Sequence, residues 1–174
     1  MMRAPPSAPL NRATLPQLIE EDIRQLNQTL SEFMASADAS AALLIDKGGF
    51  LITHRGDENE FDFTTIAALA AGAFLANQTI AALVKETGFD SMYQQGKQFS
   101  LFVVDVDEQA LMVVIFKSQA GVGIMKYFAA GAIQNMARQL MKARERAPSD
   151  GLDLSMLNVA DASPFFHKKK ATPR

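Results

Sequence analysis

The stretch Thr64–Val84, TTIAALAAGAFLANQTIAALV, contains no Asp, Glu, Lys or Arg. Charges close it off, with Asp57, Glu58, Glu60 and Asp62 before it and Lys85 and Glu86 after it. Its Ala and Leu content favours helix. Ile66, Leu69, Ala73, Ala76, Ile80, Leu83 and Thr87 recur at steps of three and four, which marks one side of that helix. The opposite side reads Ala67, Ala71, Phe74, Gln78, Ala82 and Lys85, mostly small and uncharged. A helix with no charged side needs cover nearly all round. The first stripe is read as the core side, and the side of small residues as the outward one.

The run is long enough to cross a bilayer. It is Ala-rich rather than Leu-rich, Asn77, Gln78 and Thr79 interrupt it, and no basic flank orients it. It is therefore read as the inner helix of a soluble domain. The chain of 174 residues fits one domain plus tails, long enough to bury roughly 70% of its unfolded surface. A net charge of -2 supplies no field that would recruit nucleic acid or a membrane surface. The absence of Cys removes disulfides, thiolate metal sites and Cys nucleophiles. It suits a reducing, cytoplasmic setting, and the first residues lack the apolar run of a secretory signal.

Residues 1–13 are Pro-rich and polar and read as a flexible arm. Thr14 and Pro16 start a helix, with Ile19, Ile23, Leu26, Leu30 and Phe33 as its apolar stripe to about Ala35. Ala41–Ile45 and Phe50–His54 form a hairpin across the turn Asp46-Lys47-Gly48-Gly49. The central helix ends near Gly88, the expected left-handed C′ residue. Three strands come next, over 89–95, 99–106 and 110–116, the last two rich in β-branched and aromatic residues. A second amphipathic helix carries Ile124, Met125, Phe128, Ala132, Met136 and Leu140. The predicted fold is α+β, ordered α-β-β-α-β-β-β-α. A single antiparallel five-stranded sheet carries helices on both faces. The domain spans 14–146, and 147–174 form a tail with an apolar cluster, Leu152, Leu154, Met156, Leu157 and Val159, before Phe165-Phe166-His167 and three lysines.

This order and texture resemble the roadblock / dynein-light-chain superfamily, which lies close to the longin and profilin-like folds. ALLIDKGGFLITHRG resembles the family's first hairpin, and IAALAAGAFLANQTIAALVKETG its small-residue central helix. SLFVVDVDEQALMVVIFKSQAGVGIMKYFAAGAIQNMARQL resembles its last strands and helix, so the likeness covers about Ala13 to Met141. Phe50 and the long tail depart from the family pattern. The resemblance implies a homodimer in which the central helices lie side by side and the strand after them pairs with its mate. It also implies a non-catalytic platform for a Ras-like small GTPase, acting as regulator, GTPase-activating protein or passive adaptor. On that reading Ala67, Ala70, Ala71, Phe74, Gln78, Ala81, Met92, Tyr93 and Gln94 form the dimer interface, and Asn77, Gln78 and Lys85 meet the partner.

No residue set points to catalysis, a metal or a cofactor. His54 and His167 are isolated, and two such histidines do not make a metal site. His54 is read as a solvent-facing strand-end residue. Gly121-Val122-Gly123 before a helix lacks the remaining glycine and the βαβ context of a dinucleotide fingerprint. Asp105, Asp107 and Glu108, like the acidic loop 57–62, read as solvated charge, the loop also being suited to steering a basic partner surface. Arg55 alone is weak ground for an arginine finger. The rival to the platform is a sensor domain of the PAS or GAF kind, which predicts a ligand cavity between sheet and helix. Phe165, Phe166 and three lysines fall short of a stable membrane anchor.

Overall fold

The computed structural model describes residues 17–146, so the N-terminal arm and the tail lie outside the described residues. Eight elements keep the predicted order: α1 (Glu20–Ala37), β1 (Ala41–Asp46), β2 (Leu51–Arg55), α2 (Phe63–Leu83), β3 (Ser91–Gln94), β4 (Phe99–Asp105), β5 (Ala110–Lys117) and α3 (Val122–Glu145). The strands form one antiparallel sheet in the order β2-β1-β5-β4-β3. β1 and β5 are central and are buried along almost their whole length. A sheet buried on both faces reads as a continuous apolar run, which is what Ala41–Ile45 and Ala110–Phe116 are.

α1 and α3 share one face. Leu26, Leu30 and Phe33 of α1 meet Met125, Met136 and Leu140 of α3 over Leu44, Phe102, Met112, Val114 and Phe116. α1 starts later than Thr14 predicts. Asp22 supplies the first-turn cap, its carboxylate accepting the Ile19 amide at 2.9 Å. The same carboxylate, fully buried, takes Arg146 at 2.8 and 2.9 Å and Gln139 at 2.8 Å. Those bonds tie the start of α1 to the end of α3. The Arg146 guanidinium, with the Ile19 amide and Gln139 adding to it, lowers the pKa of Asp22 to about 2 against the cost of burial.

α2 alone covers the other face, over Leu43, Ile45, Val103, Leu111, Val113 and Ile115. Asp62 caps it by accepting from the Thr65 amide at 3.1 Å and hydroxyl at 2.6 Å, and the hydroxyl bond first, then the amide, hold its carboxyl below the usual range. The helix stops at Leu83, and the left-handed residue beyond it is Lys85 (φ 64°), not Gly88. Val84 and Lys85 bond back to carbonyls of the last turn at 3.1 to 3.2 Å, and Glu86 reaches Ala81 at 2.9 Å. The chain therefore needs no glycine there. Gly49 does need to be glycine: its φ is +95°, and a Cβ would stand 3.0 Å from the Ala68 backbone. The hairpin tip thus sets how closely α2 approaches the sheet.

Candidate functional site: the outward side of the central helix and the free edge beside it

The inner side of α2 is Phe63, Ala67, Ala70, Ala71, Phe74 and Ala81, all buried. Small side chains there let the helix backbone sit close to the sheet, and the two phenylalanines fill the gaps. The outward side carries Leu69, Gly72, Leu75, Ala76, Ile80 and Leu83, all exposed. Leu69, Leu75 and Leu83 are 69%, 66% and 78% exposed. The sequence pattern assigns the two sides the other way round. Ala67, Ala70, Ala71, Phe74 and Ala81, expected at a dimer interface, face this chain's own sheet. The physical reason is volume: a helix covering a sheet alone fits closest through alanines, and the bulkier residues are left outside.

The other expected site residues divide. Met92 is buried under α2, whereas Tyr93 and Gln94 are exposed on β3. Register places Tyr93 opposite Phe102, on the face of α1 and α3, where its ring stacks on Phe116 at 6.2 Å. Gln78 is neither an open contact nor core filling. Its amide donates to the Phe89 carbonyl at 2.6 Å and accepts the Phe89 amide at 3.0 Å, clamping the α2–β3 connection. Asn77 is half-buried on α2, and Lys85 is exposed just past its end.

β3 pairs with β4 on one side only and forms an edge of the sheet. Its free N–H and C=O groups are a template for another strand. Between this edge and α2 lies an apolar groove of about 530 Å³, lined by Phe61, Ile66, Leu69, Ala73, Phe99 and Leu101 among others. Outward helix side, groove and strand edge thus form one continuous uncharged surface. By length and apolarity alone α2 would cross a bilayer; here its inner side packs on the sheet.

The candidate polar residues are taken up by structure. His54 is not a free strand-end residue: its ring lies 4.3 Å from that of Phe63, and its Nε2 is 2.9 Å from Glu58. Arg55 turns to α1, donating to Ser31 Oγ at 3.1 Å. Asp107 caps the β4–β5 turn, accepting the Gln109 and Ala110 amides at 2.8 and 2.9 Å, and pairs with Arg144 at 2.6 Å. Asp105 pairs with Lys47 at 2.8 Å. In sequence these carboxylates read as solvated charge, and single-sequence patterning carries no sign of partners so distant in the chain. Neither Gly121 nor Gly123 has positive φ. Among the described residues, no group of three or more His, Asp or Glu is placed to hold a metal ion.

Residues 25–116 match the family model described as the Roadblock/LC7 domain. Among solved structures, one described as MglB with tetrameric arrangement is 29% identical and superposes with a TM-score of 0.69, covering 74% of this chain and 96% of that one. The gliding protein MglB of Thermus thermophilus is 29% identical at a TM-score of 0.68, covering 73% and 96%. MglB of Myxococcus xanthus is 25% identical at a TM-score of 0.69, covering 75% and 98%. No curated protein matches the chain at a comparable level. The family model covers more than half of the 174 residues, and the chain belongs to the Roadblock/LC7 domain family.

Proposed function

We propose that this chain is a homodimeric, non-catalytic platform that binds a Ras-like small GTPase and regulates its nucleotide cycle. The observation that carries the reading is the exposed, charge-free side of α2. Water-exposed Leu69, Ile80 and Leu83 on one helix amount to an apolar patch that asks for a partner. Gly72, Ala73 and Ala76 beside them let a second helix backbone approach closely. The free β3 edge offers main-chain pairing alongside, so two copies related by a two-fold axis would join helices and strands at once. Family membership, and the likeness to MglB proteins, one of them described in a tetrameric arrangement, support self-assembly of the chain.

On this reading the dimer contacts are the outward residues Leu69, Gly72, Ala76, Ile80 and Leu83 with Tyr93 and Gln94, and Lys85 stays at the rim for the GTPase. The acidic loop from Asp57 to Asp62 stands at the other end of α2 and steers a basic partner surface. Regulation needs no reactive group here, since a platform acts by ordering residues of the bound GTPase. The reading places the protein in the cytoplasm. The sensor alternative predicts a cavity between sheet and helix. Instead Val103, Leu111, Val113 and Phe74 fill that space, and the clefts lie along the margins of α2.

The test is GTP hydrolysis and nucleotide release by a small GTPase encoded beside this chain, with and without the full-length protein. A changed rate of either step, with binding at micromolar concentration, is the expected result. Absence of binding to both the GTP-loaded and the GDP-loaded GTPase overturns the proposal.

A further inference from the structure

From Ala110 to Arg144 the chain contains no Asp or Glu, and all of α3 except Glu145 lies within that stretch. On α3 the residues Ile124, Phe128, Gly131, Asn135, Arg138 and Lys142 recur at steps of four and three, so they share one side of the helix. That side borders α1, which runs antiparallel to α3, since Asp22 at its start is bonded to Arg146 at the end of α3. The stripe changes character along its length. At its N-terminal end Ile124, Tyr127 and Phe128 are exposed, the last two rings meeting edge to face at 5.1 Å. Lys126, the one charge between Val122 and Ala137, turns off the stripe, its Nζ standing 6.0 Å from the Phe102 ring of β4. At its C-terminal end Asn135, Arg138 and Lys142 line a polar groove of about 220 Å³ with Gln25, Gln28 and Glu32 of α1.

The charges of this groove do not cancel. Glu32 is held by the Gln28 amide at 2.9 Å, and Glu21 of the same helix takes Arg24 and Gln25. Neither Arg138 nor Lys142 has an ion pair among the described residues. Gly131 stands between the two ends, and nothing lies within 4 Å of the place a Cβ would take, so a second backbone can come close there. We propose that this side of α3, with the flank of α1 beside it, is a docking surface for an acidic amphipathic helix of a partner protein. The partner's apolar side chains rest on Tyr127 and Phe128, and its carboxylates meet Arg138 and Lys142. Phe128 and Arg138 are about 15 Å apart along the axis, so the partner carries its two kinds of contact about three turns apart. The surface lies on the sheet face opposite α2 and stays open while the platform surface is in use. A membrane fits less well. An interfacial helix sets its cations beside one continuous apolar face, whereas here apolar and cationic parts follow one another along the axis.

The chain has no Trp, so a Trp-bearing peptide reports its own binding to the full-length protein by fluorescence. The probes are helical peptides of about 18 residues, or about five turns. One carries Trp and Leu on one side of its N-terminal half and Glu on that side of its C-terminal half, and a second has the reverse order. One of the two should bind with a Kd of about 50 μM or tighter, and its Lys-for-Glu form at least about tenfold more weakly. Tyr127→Ser and Arg138→Glu should each weaken binding about tenfold. Both residues are exposed, so the domain should fold, with amide exchange in β1 and β5 unchanged. Ile80→Glu, on the α2 surface, should leave the affinity as it is. Failure of both acidic peptides to bind overturns the proposal, as does equal affinity for the Lys form or insensitivity to either α3 variant. Loss of binding in Ile80→Glu would place the peptide on α2 and overturn it too. Tighter binding to phosphatidylserine vesicles, abolished by the α3 variants, would overturn it in favour of a membrane. A fall in native mass in Tyr127→Ser would overturn it in favour of a second copy of this chain.

Discussion

On one face of the sheet two antiparallel helices seal a core, and on the other a single helix covers a core of similar make-up. α1 and α3 bury Leu, Met and Phe inward and turn Glu21, Arg24, Gln28, Lys142 and Glu145 to water. α2 buries mainly alanines and turns leucines to water. The first layer interleaves its exposed Ile124, Tyr127 and Met141 with charged residues, whereas the outward side of α2 carries no charge at all, the side for which a covering partner is proposed. The contrast shows that the size of a residue, as well as its polarity, decides which side of a helix faces the sheet. Where no charge competes for the outside, the small side gives the closest approach and the large side remains for a partner.

The sharpest way to break this comparison is to exchange the roles of the two sides of α2. Phe74, 3% exposed over Val103 and Leu111, should cost about 3–5 kcal/mol of subunit stability when changed to alanine. Leu83→Ala should cost about 0.5 kcal/mol or less in the same denaturant titration run at concentrations low enough to keep the subunit monomeric, because Leu83 has little burial to lose within the subunit. Comparable losses from the two variants would return the helix to the opposite orientation.

Next in size is the assembly itself. Light scattering should give twice the 18.9 kDa chain mass. Ile80→Glu should weaken that dimer at least about 100-fold, since the carboxylate would be desolvated without a partner. The subunit's own fold should survive, Ile80 being half-exposed in it. A wild-type chain that is monomeric at micromolar concentration would leave the outward side of α2 without its proposed cover.

The two-helix layer has its own test, set by Asp22. Its folded-state pKa is depressed, to about 2, chiefly by Arg146. The ion pair's contribution is therefore fully present above the unfolded carboxyl value near 4, and is lost as pH falls through about 2. The shift corresponds to about 2 kcal/mol. Stability measured from pH 5 down to pH 2 should decline in the wild type, and Asp22→Asn should remove that much of the decline while lowering stability at neutral pH. An unchanged slope in Asp22→Asn would show that the tie between α1 and α3 has no energetic weight.

The element order was legible because the strands and the two amphipathic helices carry clean periodicity. Ala41–Ile45 and Ala110–Phe116 are apolar without alternation, as central strands must be, and Leu26, Leu30 and Phe33 have polar neighbours that point the stripe inward. α2 has no such pointer. With Leu69 and Ile80 on one side and Ala67 and Phe74 on the other, its periodicity locates two sides without ranking them. Tertiary ion pairs were not legible either: Asp22 with Arg146 and Asp107 with Arg144 join residues far apart in the chain. Thr14 looks like a helix start from local chemistry and lies outside the described residues; among those described, the Asp22 carboxylate caps the first turn of α1 and also receives Arg146 and Gln139.

The smallest predicted effect concerns Gln78, which a reading of helix faces sets among partner contacts. Its amide satisfies both the N–H and the C=O of Phe89, so it fixes the path from α2 into the edge strand. Gln78→Ala leaves two half-buried backbone groups without their partner, a loss of about 1–2 kcal/mol after water partly replaces it. The loss should be local. β3 has one neighbouring strand and four residues, whereas β5 lies between β1 and β4 and is buried on both faces. Hydrogen exchange should therefore accelerate at Phe89 to Tyr93 and stay constant in β1, β5 and the α1–α3 layer. Dimer affinity should fall with it, because the edge offered for pairing becomes less ordered while no interface side chain has changed. If exchange rises uniformly across both layers instead, Gln78 supports the whole fold. The division between the two-helix face and the uncharged α2 face would then need to be redrawn.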